Sequence, residues 1–520
     1  MGRVRLSCPE MSRRRFLSRG ACAGCAASAV LLAPEPSWAA QGAADKPKVR
    51  LVFCETLSDR PIWPNIGYDF DARRTEIINA LTQGCPDVQF LPMQVNERSK
   101  EKTVARVLKG NAEVDGYVVC IQGLGWRNDV GKLCSTGKPT LLVDNLFGGS
   151  GLFLTRLRAI VKLGKPVDWV SSSRDEDIAA SARQFTLLKQ GKTAADVAAA
   201  FRATRRGRTP KDADWTCKAD AVPAPDFDGA LKRLRETKLI VVGGGWGGDR
   251  FRKAAQQVVG VTFIPIGFKD VAAAYAQADP AAAKAFADRW MAQAKEVVEP
   301  KRDEIERSGA MYLAMKQLMD QHGASGISVN CLGGFYGGHL KAYPCLGFSQ
   351  LNNDGLVGGC EADQMSALTM ATLGALVHRP GYISDPVIDT SKNQVIYAHC
   401  VAMTRPFGPK GAASPYRIRT HSEDRKGACV QALLPPGYLT TTLEIDPVAR
   451  EVLMHQAKTV GNNPSDLACR TKLEATLKGD IEKLTERWPK GWHRVTFYGD
   501  LAPHVTELCQ RLKLKLIQEA

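Results

Sequence analysis

The stretch Tyr343–Met370, YPCLGFSQLNNDGLVGGCEADQMSALTM, sets two carboxylates, Glu361 and Asp363, between a Gly-Gly-Cys turn and an apolar helical pattern. Met365, Leu368, Thr372 and Leu376 recur at helix spacing, and Pro380 closes the run. A helix N-terminus favours negative charge, so both acids can serve the helix alone. The other reading aims a carboxylate into a cleft beneath the glycine-rich turn. Positions two apart lie on different sides of a helix, so at most one of the pair faces such a cleft squarely.

Upstream, short apolar runs alternate with helical patterns. Val49–Cys54, Val88–Met93, Tyr117–Ile121 and Thr140–Val143 read as strands, with a helix over Asp71–Leu81. This alternation predicts a parallel sheet covered on both faces, a first Rossmann-like domain over residues 48–152. A second Rossmann-like domain is expected over 153–345, with strands at Leu239–Val242, Val261–Ile266 and Ile327–Cys331. Its helices are Asp175–Lys189, Thr193–Arg202, Ala281–Ala294 and Arg302–Gln321, with Pro280 suited to a first turn. Thr204–Gly229, with three prolines, reads as a surface excursion.

Gly243–Gly248 satisfies GxGxxG, but five glycines in six positions fit almost any spacing. A cleft-lining loop at the end of a strand is the reading adopted, with no nucleotide cofactor. Beyond His378 the runs Gln394–Met403, Ala428–Leu434 and Leu439–Ile445 are short, strand-like and punctuated by Gly and Pro. A helix over Cys469–Arg487 and a strand at His493–Tyr498 follow. The fold class is therefore α/β: two Rossmann-like parallel-sheet domains, then a C-terminal α/β domain, 346–520, with an antiparallel β region.

The N-terminus reads as a signal. Ser12–Leu17, SRRRFL, has the twin-arginine pattern, a weakly apolar run Ala21–Ala33 follows, and Ser37-Trp38-Ala39 is a small-x-small cleavage site. Residues 1–39 are thus expected to engage the Tat translocase and direct the chain to the periplasm or beyond. The apolar run falls short of the roughly 20 residues a membrane span needs.

The net charge is +16, about +12 without the signal, but the basic clusters are short and lack interleaved aromatics. Nucleic-acid binding is therefore not expected; attraction for anionic sugars is compatible with the charge. Of 15 cysteines, 12 lie beyond the signal, scattered and without CxxC, which excludes zinc-ribbon and thioredoxin-like motifs. Those in strand runs, such as Cys54 and Cys120, read as free core thiols.

Cys360-Glu361-Ala362-Asp363, placed after Leu351-Asn352-Asn353-Asp354-Gly355 and before Ala367-Leu368-Thr369-Met370, resembles the C-terminal half of the L-fucose isomerase / L-arabinose isomerase superfamily. Val329-Asn330-Cys331, Ala398-His399-Cys400, His421-Ser422-Glu423, Cys469-Arg470-Thr471 and Trp492–Asp500 fit in the same order. The resemblance implies a metal-dependent aldose–ketose isomerase, with Mn2+ or a similar divalent ion polarising sugar oxygens and a carboxylate shuttling the proton. Carried over by position, Glu361 and Asp363 are catalytic, Asp363 and His493 hold the metal, and His399, His421 and Glu423 contact the sugar. It also implies a homo-oligomer. The chain departs from the pattern at Gly334, which stands where the family carries a second metal-binding glutamate; His339 is the imidazole nearest to that gap in sequence. That departure leaves a second reading open, an exported carbohydrate-binding protein without turnover.

Overall fold

Strand β1 (Lys48–Glu55) sends alternate side chains to opposite faces of its sheet. Val49, Leu51 and Phe53 enter one core, with Ile77, Leu81 and Phe201, while Val52 and Cys54 enter another, with Val104, Phe153 and Leu157. A strand buried on both faces is what a doubly covered parallel sheet requires. In this computed structural model, which describes residues 46–96, 100–125, 129–211, 213–488 and 490–520, β1 lies inside the first sheet, between two partners. With β2 (Gln89–Asn96), β3 (Gly116–Ile121), β4 (Thr140–Asp144) and β5 (Val167–Ser171) it forms the order β2-β1-β3-β4-β5, all parallel. The order reverses between β1 and β3, so loops diverge there and leave a crevice at the carboxyl ends.

The second sheet repeats the device. β6 (Lys238–Val242) and β7 (Thr262–Ile266) precede a two-residue strand β8 (Glu296–Val297); β9 (Gly326–Val329) and β10 (Val357–Cys360) complete the parallel order β10-β9-β6-β7. The reversal falls between β6 and β9.

The remaining strands turn antiparallel. β11 (Tyr382–Asp389) and β12 (Gln394–His399) form a hairpin, whereas β13 (Tyr416–Arg419) and β14 (Cys429–Ala432) join β8 in a small separate sheet. β15 (Leu439–Asp446), β16 (Glu451–Asn462), β17 (Thr471–Lys478) and β18 (Arg494–Tyr498) then close a ring β15-β18-β11-β12-β17-β16, with every neighbouring pair antiparallel. Closure removes the exposed edges that an open sheet would present. β19 (Lys515–Gln518) adds to β16 from outside, parallel.

The fold class thus matches the sequence reading: parallel sheets followed by an antiparallel β region. Three assignments differ. β5 pairs with β4 in the first sheet, although residues beyond 152 were placed in the second domain. β10 belongs to the second sheet, although it lies beyond 345. The helix expected over Cys469–Arg487 is a strand followed by a short helix, Ile481–Arg487. Thr471, Leu473, Ala475 and Leu477 are all fully buried, a period of two that outweighs the charged residues between them. The predicted signal, residues 1–39, lies outside the described residues. Among the described residues no helix is long and apolar enough to cross a membrane.

The barrel is fastened to the first sheet by its β11–β12 turn. Thr390 donates from N and Oγ1 to the Ser171 carbonyl, at 2.9 and 2.8 Å, and Ser171 Oγ donates to the Ile388 carbonyl at 2.6 Å. Arg205, buried over the Trp169 ring, donates from Nε to Glu482 at 2.6 Å and also pairs with Asp168. The excursion after Arg208 is pinned as well: Arg379 holds Asp220 (Nη2–Oδ1 2.7 Å) and the Tyr498 carbonyl (2.8 Å).

Asp144 sits under the barrel junction. One carboxyl oxygen accepts from Ser150 Oγ at 2.9 Å and lies 2.9 Å from Ser171 Oγ, and among the described residues the other has no partner. Burial pushes its pKa up to about 7, against the two seryl hydroxyls. The folded chain therefore keeps a proton that the unfolded chain, with an ordinary value of 3.8, has already lost. Stability contributed by this group should fall as pH rises from about 4 to 7 and level off above. Asp144→Asn is expected to flatten that slope and to raise stability at pH 8 by ~1–3 kcal/mol, measured by urea unfolding at a series of pH values.

Candidate functional site

The carboxyl ends of β1, β3, β6, β9 and β10 point toward one mouth of the barrel, and the space between is a cavity of about 940 Å³. Trp63, Lys132, Trp246 and Asn330 line it from the parallel sheets; Asp385, His399, Glu423 and Trp492 line it from the C-terminal part. The glycine run after β6 serves as a wall of this cleft. Gln364 donates to the Trp246 carbonyl at 2.7 Å, and a Cβ at Gly245 would come within 2.8 Å of the Gln364 amide.

Glu361 is aimed by backbone strain. Glu361 and Ala362 take φ values of +61° and +51°, a conformation that costs a non-glycine residue of order 1 kcal/mol or more. The Ala362 amide is held by the Val329 carbonyl at 2.9 Å, so the turn is fixed to β9. Asp363 then caps the helix Gln364–Val377, with Oδ1 accepting from the Met365 and Ser366 amides at 2.9 and 3.1 Å. Its Oδ2 accepts from Ser366 Oγ at 2.8 Å and from His493 Nδ1 at 2.9 Å. Residues separated by 130 positions thus meet, as the resemblance implied.

The partner of Nδ1 decides what the other nitrogen does. With Nδ1–H directed at Asp363, His493 Nε2 faces Asp385 at 3.4 Å and Glu361 at 3.8 Å. His399 is oriented oppositely: its Nδ1 accepts from the Cys400 amide at 2.9 Å, so Nε2 carries the proton. That N–H lies 3.9 Å from Glu361 and 4.0 Å from Asp385. Both Nε2 atoms are buried, and among the described residues neither has a hydrogen-bond partner.

Charge sorts the roles further. Burial pushes the Glu361 pKa up to about 7, with Asp385 and Asp363 adding to the rise and His493 opposing it. Burial lowers His399 to about 4, keeping it neutral. For His493, burial is overcome by Asp385, Asp363 and Glu361, which hold its pKa well above the ordinary range. Asp385 stays low despite burial because His493, His399 and the Trp492 indole N–H, 2.5 Å away, favour its charge.

His421 and Glu423 line another wall of the cavity. His421 Nδ1 pairs with Asp424 at 3.2 Å, and Tyr336 donates to Glu423 at 3.0 Å. Burial pushes Glu423 up to about 8.

Of the residues read from the sequence, Glu361, His399, His421 and Glu423 line the cavity, whereas Asp363 and His493 meet behind it and border a smaller pocket beside Trp492. Asp385 was missed. It sits in the buried strand YISDPVID, where it is one of two aspartates and nothing local separates it from Asp389. The gap at Gly334 has a physical basis: a Cβ there would lie 2.5 Å from Leu340 Cδ1 and 3.1 Å from Phe268. Leu340 and Phe268 fill that space, and Asp385 brings a carboxylate from the barrel instead. His339 is stacked on Phe268, ring centroids 5.1 Å apart, and is not among the residues that line the cavity.

The donor set suits a divalent cation. Oxygens of Asp385 and Glu361 lie 3.4 and 3.8 Å from His493 Nε2, and a divalent cation could take the place of the proton that the carboxylates otherwise hold on that nitrogen.

Fold and site together define an α/β protein with a carboxylate–imidazole cleft between parallel sheets and a closed barrel. No family model matches the chain. It is similar to the sulfoquinovose isomerases of Priestia aryabhattai and Priestia megaterium, 24% identical over 303 residues, covering 55% of this chain. The chain spans 65% of the length of these relatives. A sulfoquinovose isomerase of Alkalicoccus urumqiensis is 28% identical over 123 residues, 22% of this chain and 28% of that protein. A sugar ABC transporter structure from Yersinia enterocolitica covers 58% of this chain and 69% of its own at 10% identity, with a TM-score of 0.17, too low to establish a common fold. At this distance the similarity points to sugar isomerases as a class.

Restoring the family glutamate by Gly334→Glu is expected to displace Leu340 and destabilise the chain by about 1–3 kcal/mol without adding a ligand. Thermal unfolding with and without Mn2+ checks this; a stabilised variant that binds the ion more tightly would contradict it.

Proposed function

We propose that this chain is a metal-dependent aldose–ketose isomerase related to the L-fucose isomerase group, acting on a sugar that carries an anionic end. The observation that carries the proposal is the buried set of Glu361, Asp385 and His493, with two Nε2 atoms left to face ligand. The similarity to sulfoquinovose isomerases supports the reaction class, and the C-terminal resemblance to L-fucose isomerases supports the same assignment.

His493 and Asp385 would hold the cation, manganese or one like it, with Glu361 alongside; when bound, such an ion polarises hydroxyl and carbonyl oxygens. Asp363 positions His493 and keeps its Nε2 turned toward Asp385 and Glu361. Glu361, with a pKa near 7, is suited both to take and to return a proton. It removes the proton from C2 of the aldose, giving an enediol, and returns it to C1; the C2 hydroxyl proton passes to the former carbonyl oxygen. His399 stays neutral and offers Nε2–H to a sugar oxygen as charge develops there. Trp63 and Trp492 on the cavity wall limit water around the enediol.

Arg60 and Lys132 bring positive charge to the same cavity, as a sulfonate-bearing sugar requires.

Incubation with sulfoquinovose in D2O, followed by NMR, is expected to show a ketose with deuterium at C1. Glu361→Gln should lower the rate by about 10²–10⁴-fold. His493→Ala and Asp385→Asn should each lower metal content at least about tenfold in dialysed protein. Calorimetric sugar binding with no ketose formed would instead select a binding protein. Lys132→Ala is expected to raise KM for the sulfonated sugar about fivefold, with little change for a neutral one, in keeping with an exposed charge contact.

A further inference from the structure

Beside the acidic cluster the cavity carries a set of thiols. Cys345, Cys360, Cys400 and Cys469 all line it, and all are buried. None of the described cysteines is in a disulfide. Two of them nevertheless meet directly. Cys331 Sγ lies 2.8 Å from Cys360 Sγ, well inside the roughly 3.5–4.0 Å of ordinary non-bonded contact. A disulfide bond of about 2.05 Å needs less than about 1 Å of further approach.

The placement of the pair gives it direction. Cys360 ends β10, immediately before Glu361, and opens onto the cavity. Cys331 begins the short helix Cys331–Tyr336 after β9 and is 1% exposed. Its loop is held by Asn330, which accepts from the Gly333 amide at 3.1 Å and donates to the Gly243 carbonyl at 3.1 Å. One thiol therefore borders the cavity, and its neighbour, behind it, does not.

We propose that Cys331 and Cys360 form a modification site, an intramolecular disulfide made by exchange with a small-molecule disulfide that enters the cavity. In the first step Cys360 Sγ attacks one sulfur of the reagent, its proton passing to the sulfur that leaves; a mixed disulfide forms and one thiol departs. In the second, Cys331 Sγ attacks Cys360 Sγ, the protein disulfide forms, and the second thiol departs. Two protein thiols are oxidised and one reagent disulfide is reduced to two thiols. The bond joins the carboxyl ends of β9 and β10 and fixes the residue that precedes Glu361. The inference stands on thiol geometry alone, so it survives or fails independently of any sugar chemistry.

Other pairs compete: Cys400 lies against both Cys429 and Cys469. The test is to incubate the full-length protein with 2-hydroxyethyl disulfide, block free thiols under denaturing conditions, and map peptides by mass spectrometry without reduction. The expected product is a cross-linked peptide pair containing Cys331 and Cys360, lighter by two hydrogens and released by a reductant. In Cys331→Ser the reagent's thiol should stay attached at Cys360, because nothing expels it. Recovery of both residues as blocked free thiols, or a link from Cys360 to another cysteine, would overturn the proposal.

Discussion

The contact between Asp363 and His493 joins the helix Gln364–Val377 to the barrel at the site itself, beside the Thr369 hydroxyl that accepts from the Ile445 amide at 3.0 Å. One oxygen of Asp363 closes the first turn of the helix Gln364–Val377, and the other accepts from the imidazole that precedes barrel strand β18. The helix fixes the carboxylate, and the carboxylate holds Nδ1, so that Nε2 is turned toward Asp385 and Glu361. Removing the carboxylate would undo a cap worth about 1 kcal/mol and release the ring at the same time. The two readings of the acidic pair in the sequence therefore both hold, one for each residue: Asp363 serves the helix and Glu361 faces the cleft.

The rest of the architecture brings groups to that contact. Each parallel sheet reverses its strand order once, and each reversal leaves loops free to diverge at the carboxyl ends. The barrel supplies the opposite wall, with Asp385 and His399 from adjacent strands and Trp492 holding Asp385. The Thr390–Ser171 bonds and the buried Arg205–Glu482 pair keep the first sheet seated on the barrel, so the loops after β1 and β3 stay over the cavity. The two imidazoles lie close, ring centroids 5.4 Å apart, yet differ in proton placement because one receives a backbone N–H and the other faces a carboxylate.

Much of this was legible in the sequence where a local rule applied. Continuous apolar runs such as Tyr117–Ile121 gave the parallel strands, since burial on both faces leaves no alternation to misread. The convergence of Asp363 and His493 came from ordered motifs, not from periodicity. The strand β17 was legible too: Leu473, Ala475 and Leu477 alternate with Lys472, Glu474, Thr476 and Lys478, a period of two that the helix reading of Cys469–Arg487 overlooks. Asp385, by contrast, was invisible. A carboxylate in a buried strand is explained only by partners that lie far away in sequence: Trp492, 107 positions on, and His493. The replacement at Gly334 signalled that a ligand was missing, but the side chains that fill its place, Leu340 and Phe268, appear only in the packed structure.

The claim on which the account turns is that His493 donates through Nδ1 and presents a bare Nε2 to a cation, while neutral His399 keeps its proton on Nε2. Histidine-selective ¹⁵N NMR of the full-length protein during titration with Mn2+ tests it directly. The account predicts that the Nε2 signal of His493 broadens away at the first equivalent, while an imidazole N–H remains on its Nδ1 side when diamagnetic Mg2+ is used instead. A His493 ring that keeps a proton on Nε2 at saturating ion, or that is unmoved by either ion while His399 responds, would contradict it.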